Sequence, residues 1–229
     1  MTKELKAVSF DFDATLYNYP RMVMRLIHRY GIHTKLIRDL TKGRALVRKE
    51  GHQKDFRERQ VQVMAEMWGK SEDWTREKLD RVVYNGFNSH FDNIKPEKDA
   101  FKVLDMLVAN GIAISVLSDY PPHDKMEKMG FMKYPWKTII NCEEIGLLKP
   151  HPKGFQLAMD AMGSKPENTL HVGDSLRYDV QGANELGMYS AWFKRWWRKP
   201  KPGITPDYTF KNMKGLMNLL EKEFGLAPL

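Results

Sequence analysis

The 229 residues are enough for one large domain or a small pair, and 42% hydrophobic with 11% aromatic content is the make-up of a globular chain that buries a core. No run reaches the roughly 18 apolar residues of a membrane span. The charged N-terminus MTKELKAVSF enters a strand-like segment instead of a secretory signal. A lone cysteine, Cys142, excludes an intramolecular disulfide and argues against a thiolate metal cluster. These features predict a soluble cytoplasmic α/β protein with no membrane partner. Of the net charge of +8, most sits in residues 15–93, where 16 Lys and Arg face 10 Asp and Glu. Such an excess attracts anions or simply solvates a helical surface.

In chain order, AVSFDF at 7–12 reads as a buried strand. Four segments of helical spacing follow, at 20–30, 34–50, 55–69 and 73–87, with Gly31, Gly51 and Gly69 as stops after the first three. After Pro96 the rhythm alternates. Helix 97–110 ends at Asn110-Gly111, strand 112–117 follows, and Pro121-Pro122 opens a helix that closes near Gly130. Then come strand 138–140, helix 152–162, strand 169–173, helix 175–186, strands 189–193 and 207–210, and a terminal helix 212–223. Alternation of this kind predicts a parallel sheet covered on both faces.

Ligands collect at the carboxyl ends of such strands. The residues there are Asp11-Phe12-Asp13-Ala14-Thr15, then Ser118-Asp119, then a loop with Lys149-Pro150, then Gly173-Asp174-Ser175 with Asp179 beyond. Acids, a hydroxyl and a lysine would converge on one crevice. Asp174 also fits the role of a cap for the helix after it, and His151 that of a cap for helix 152–162.

FDFDATL at 10–16, VLSD at 116–119, LKPHPKGF at 148–155 and HVGDSLRYDVQGA at 171–183 stand in an order that resembles the haloacid dehalogenase superfamily, in its phosphatase-like branch with a helical type-one cap. The resemblance implies a three-layer Rossmann-like α/β core of residues 1–14 and 94–229, with an inserted all-helical cap at 15–93. It implies hydrolysis of small phosphate monoesters with Asp11 as nucleophile through an aspartyl phosphate, and Asp13 as general acid and base. An acid at position 13 resembles the phosphatases and phosphomutases. The dehalogenating branch has an aromatic residue there, and the phosphonate-cleaving branch a small one.

Mg²⁺ would bind Asp11, Asp174 and the backbone carbonyl of Asp13. Asp179 would stand behind them, steadying Lys149 or a water on the metal, or would bind the metal directly. Ser118 and Lys149, with Thr15 and Asp119 beside them, would hold the phosphoryl group. The expected partner is a small phosphorylated metabolite. Ala14 replaces a common glycine and tightens the turn, Asp119-Tyr120 stands where Asn-Gly is frequent, and Tyr178 where Asn is.

A phosphomutase of the same family is one alternative. Another is a nucleic-acid-binding protein or polynucleotide phosphatase that uses the basic cap and the Trp192–Lys199 run, which alternates rings with cations. The opposing reading makes Trp192 and Phe193 the end of a buried strand and the remainder the loop that leaves it. Likewise Lys35, Arg38, Lys42, Arg44, Arg48 and Lys49 form either a cationic stripe for an anionic substrate or a solvated face. The oligomeric state is left open by the sequence.

Overall fold

A computed structural model describes residues 2–18, 24, 34–85 and 94–229. Six parallel strands form a single sheet in the order β3-β2-β1-β4-β5-β6. They are β1 (Ala7–Phe10), β2 (Ala113–Ser118), β3 (Thr138–Asn141), β4 (Thr169–Gly173), β5 (Tyr189–Phe193) and β6 (Tyr208–Phe210). The chain starts in the middle of the sheet, builds outward through β2 and β3, then returns to the other side of β1 to lay down β4, β5 and β6. That reversal separates the loops after β1 and β4 and opens a crevice between them at the carboxyl edge.

Helices cover both faces. On one side, α4 (Ala100–Ala109) and α8 (Met213–Phe224) bury Leu104, Leu107, Leu216 and Leu220 against Val8, Phe10, Val116 and Val172. On the other, α6 (Pro152–Met162) and the short α7 (Gln181–Glu185) set Phe155, Ala158 and Ala183 against Ala7 and Leu117. Alternate strand residues therefore serve opposite cores, which is why the strands read as continuous apolar runs. Between these faces in sequence lies α5 (His123–Lys128).

Among the described residues, α1 (Thr34–Glu50), α2 (Phe56–Trp68) and α3 (Glu72–Leu79) precede this alternation, the last continuing as a π-helical turn over Asp80–Tyr84. Leu40, Val61, Met64, Leu79 and Val83 make their shared core, and Tyr120 packs against it from the loop after β2. Asp55 accepts the Glu58 N–H at 3.0 Å to start α2, and Gly69 ends it at φ 62°. The expected helix 20–30 and the end of the expected helix 73–87 lie outside the described residues.

Three expectations change in detail. The first strand stops at Phe10, so Asp11 and Asp13 stand beyond it. The expected helix 175–186 is a π-helical turn, Leu176–Val180, that passes into α7. Its cap is Ser175, whose Oγ accepts the Tyr178 N–H at 3.2 Å, and not Asp174, whose carboxylate is held by Arg198. His151 does cap α6, its Nδ1 accepting from the Lys153 N–H at 3.2 Å.

Candidate active site

The turn after β1 carries the first two acids. Asp11 N–H donates to the Val172 carbonyl of β4 at 2.9 Å, so its backbone is still held by the sheet while its side chain has entered the crevice. The chain then folds back on Phe12, whose carbonyl accepts from both Thr15 and Leu16. Ala14 takes a left-handed φ of 67° in this turn, a conformation that costs a residue with a Cβ about 1–2 kcal/mol. Its carbonyl is gripped by Arg195 at 2.9 and 2.7 Å, which fixes the turn from the far side.

Asp11 is enclosed. One carboxylate oxygen accepts from Lys149 Nζ at 2.7 Å and the other from Thr15 Oγ at 2.9 Å. Thr15 is itself fully buried, so its hydroxyl orients Asp11 and does not face the crevice. Lys149 also reaches Asp179 at 2.7 Å. Asp179 is further fixed by the Ser175 N–H at 2.9 Å and lies 3.4 Å from His171 Nε2. Asp174 is paired with Arg198 at 2.7 and 3.0 Å, and its carbonyl accepts from Trp192 Nε1 at 3.0 Å.

These contacts divide the acids electrostatically. Burial raises the Asp11 carboxyl well above the usual carboxylate range, against the pull of Lys149, and the neighbouring charges of Asp179, Asp174 and Asp13 push the same way. Burial works equally against a charge on Asp179, yet Lys149 and then His171 outweigh it and hold that carboxyl below the usual range. Lys149 is desolvated, but Asp11 and Asp179 together keep it firmly protonated. Burial raises Asp174, with Arg198 opposing, and burial lowers His171, which leaves that ring neutral.

Carboxylate oxygens of Asp11, Asp174 and Asp179 lie within 4.8 Å of one another, all buried. Hard oxygen donors at that spacing, paired directly with Lys149 and Arg198, fit a hard divalent cation such as Mg²⁺. Asp13 stands apart from this cluster. Its carboxylate takes Lys125 Nζ at 2.6 and 2.8 Å, the Tyr17 hydroxyl at 2.6 Å and the Ser118 hydroxyl at 3.1 Å. Asp119 points elsewhere: Arg48 takes one oxygen at 2.7 Å and the Lys149 backbone N–H the other at 2.9 Å.

The crevice in front of these groups holds about 310 Å³. Asp11, Asp13, Lys149, Asp174 and Asp179 line it from the sheet, and Thr41, Arg44 and Arg48 line it from α1. The structure thus brings Asp11, Asp13, Asp119, Lys149, Asp174 and Asp179 to one crevice, with the fully buried Thr15 and Ser118 hydroxyls behind them. Sequence reading did not single out Lys125, Tyr17 or Arg198 for this site. Lys125 lies in the helix after Pro121-Pro122, and Arg198 within the Trp192–Lys199 run.

In that run Trp192 and Phe193 are buried at the end of β5, whereas Trp196 is 87% exposed. The basic series on α1 also divides. Lys35, Arg38, Lys42 and Lys49 face solvent, while Arg44 and Arg48 turn inward to acids of the α/β core, which corrects the single stripe expected for that helix.

The model of the haloacid dehalogenase-like hydrolases matches residues 5–187. A glyceraldehyde 3-phosphate phosphatase of Pyrococcus furiosus is 29% identical over 144 residues, 60% of this chain and 60% of that protein. A phosphoserine phosphatase of Thermus thermophilus is 32% identical over 114 residues, 49% of this chain and 45% of that one. The chain therefore spans about half to three-fifths of the length of these curated relatives.

Among solved structures, the L-2-haloacid dehalogenase of Xanthobacter autotrophicus superposes with a TM-score of 0.72 at 18% identity, over 95% of this chain and 99% of that one. A phosphatase of Thermococcus onnurineus gives 0.63 at 20%, over 96% and 100%. At such identities the superpositions speak for the fold alone, while the sequence match runs from the first strand through the acid-bearing turn after β4. On that ground the chain belongs to the haloacid dehalogenase-like hydrolases.

Proposed function

We propose that this protein hydrolyses small phosphate monoesters in a Mg²⁺-dependent reaction through an aspartyl-phosphate intermediate. The observation that carries the reading is the pair Asp11 and Asp13. Two carboxylates two residues apart face one crevice in different company, Asp11 beside the acidic cluster and Asp13 away from it. The phosphatase names of the relatives support it.

Asp11 attacks phosphorus through its carboxylate, which Lys149 at one oxygen and Thr15 at the other hold in register. Lys149 stays positive throughout and faces the charge that develops on the phosphoryl oxygens, while the buried Ser118 hydroxyl supports Asp13 from behind. Asp13 gives a proton to the departing oxygen and then takes one from the water that cleaves the aspartyl phosphate. Tyr17 and Lys125 keep its carboxyl aimed while it does so. Asp11, Asp174 and the Asp13 carbonyl would hold the cation, with Asp179 behind them. A bound Mg²⁺ supplies the positive charge that lets one anion approach another.

Residues 15–93 serve in this reading as the cap, presenting Thr41, Arg44 and Arg48 over the crevice and excluding water from it.

The test is release of inorganic phosphate from sugar phosphates, phosphoserine, nucleotides and p-nitrophenyl phosphate. Turnover that needs Mg²⁺, disappears in EDTA and drops at least a thousandfold in Asp11→Asn is the expected outcome. Folded protein that turns over none of the panel, or an Asp11→Asn variant as active as the parent, overturns the reading.

A further inference from the structure

Two arginines of α1 cross into the α/β core, and the chemistry above uses neither. Arg44 lies flat over the Tyr120 ring at 3.8 Å, donates to Gln60 at 2.9 Å, and makes a short ion pair with Glu143 and a short bond to the Asp119 carbonyl. One helical turn on, Arg48 lies over the Tyr178 ring at 4.0 Å and pairs with Asp119 at 2.7 Å. The second oxygen of Asp119 takes the backbone N–H of Lys149 at 2.9 Å. A continuous line of charge-assisted bonds thus runs from α1 to Asp119, on to the Lys149 backbone, and through its side chain to Asp11 and Asp179.

We propose that Arg48 is a positioning residue: docked on Asp119, it holds the Lys149 backbone so that the lysine meets Asp11 only while α1 lies against the core. Its consequence for turnover rests on the phosphatase reading, whereas the structural linkage does not.

The physical ground is the state of Asp119. The Arg48–Asp119 pair is largely buried, its side chains 15% and 14% exposed, so it differs from surface pairs that contribute almost nothing. While Arg48 is in place, both carboxylate oxygens have a donor. Without it, one oxygen of a largely buried carboxylate loses its charged donor, and the side chain must turn toward another partner or water. That change weakens the acceptor on which the Lys149 N–H depends. A lysine that must sit 2.7 Å from each of two acids tolerates little displacement of its backbone. Arg44, held at the same carbonyl of Asp119, keeps the helix in place while Arg48 senses the contact.

The experiment follows hydrogen exchange at the Lys149 amide by NMR in the substrate-free full chain, for the parent, Arg48→Met, Arg48→Lys and Asp119→Ala. It is paired with kcat and KM on p-nitrophenyl phosphate. Arg48→Met should speed exchange at Lys149 about tenfold or more, with no comparable change in α8, and Arg48→Lys should fall between it and the parent. Turnover should fall about tenfold in kcat with little change in KM. Arg48→Met combined with Asp119→Ala should lose no more than Asp119→Ala alone, because both cut one line.

Unchanged Lys149 exchange in folded Arg48→Met overturns the proposal. So does acceleration spread evenly over the chain, or losses that multiply in the double variant. Should Arg48→Met fail to fold, Arg48→Lys and Asp119→Ala decide by the same criterion. If the parent itself releases no phosphate, the phosphatase reading falls while the exchange data still decide the linkage.

Discussion

Gly173, the last residue of β4, shows how far a single position controls the acids. A Cβ built there would overlap the Asp179 side chain, at a distance no pair of atoms tolerates. Only glycine lets Asp179 pass across the end of the strand to reach Lys149 and the Ser175 N–H. In Gly173→Ala, Asp179 must move, Lys149 loses the partner that divides it between two acids, and strain of about 1–3 kcal/mol is added. The expected result is a fall in melting temperature of several degrees, together with a loss of phosphatase activity of about a hundredfold. Crystallography or NMR showing Asp179 still on Lys149 in a fully active variant would refute this. Ala14 is the opposite case, a left-handed residue that has a Cβ and is held there by Arg195. The sequence marked position 14 as a departure but could not show the arginine, 181 residues away, that holds it.

At the scale of elements, α1 carries the energetics that its own sequence conceals. Arg44 is buried against Glu143, and the Tyr84 hydroxyl also reaches that carboxylate at 3.4 Å. Removing the arginine strands a buried charge, a loss of about 3–5 kcal/mol, whereas replacing both partners by apolar groups removes the penalty with the charge. Arg44→Met should therefore destabilise the protein by about that amount in urea unfolding, and Arg44→Met with Glu143→Leu should recover most of it. Additive losses in the double variant would show that the pair is not coupled.

The same helix shows what could be read in advance. Its bounds, 34–50, followed from apolar spacing and Gly51, but the inward turn of Arg44 did not, since its partner lies in another motif 99 residues on. The strands that line the crevice were legible because β1, β2 and β4 are local apolar runs followed directly by Asp11, Asp119 and Asp174. The π-helical turn at Leu176–Val180 was not, because five residues cannot reveal whether a turn closes after four residues or five. That wider turn is what carries Asp179 back over Gly173.

Across the whole molecule, the sheet gathers charge from its two halves: Asp11 from β1, Asp174 and Asp179 from the segment after β4, Lys149 from the loop after β3, and Arg198 from the stretch beyond β5. Lys149 and Arg198 pair directly with these three buried acids, Arg195 adds to the field at Asp174, and each acid makes stability depend on pH in its own direction. Asp11, raised by burial, binds its proton more tightly in the fold than in the unfolded chain. Its share of stability therefore grows as pH falls from its raised value toward the ordinary carboxylate value, and Asp174 acts with the same sign. Asp179, lowered by Lys149 and His171 against its burial, behaves oppositely. Its contribution is intact above the ordinary range and is lost only as pH falls through its depressed value.

His171, lowered by burial, opposes this on acidification, so the sign is read from the difference between the parent and Asp11→Asn in EDTA. Asp11→Asn, which cannot ionise at that position, should melt above the parent at pH 8 and converge with it on acidification. Mg²⁺ at a hundredfold excess over its Kd stabilises the folded form by about 2.7 kcal/mol, or roughly 5–10 °C for a chain of this size. That rise should be largest for the parent at pH 8 and much smaller in Asp11→Asn. A difference in melting temperature between the parent and Asp11→Asn in EDTA that stays flat from pH 8 to 5.5, in a parent that Mg²⁺ leaves unmoved, would mean that these acids do not share one buried field. The cation site and the assignment of Asp11 would then fall together.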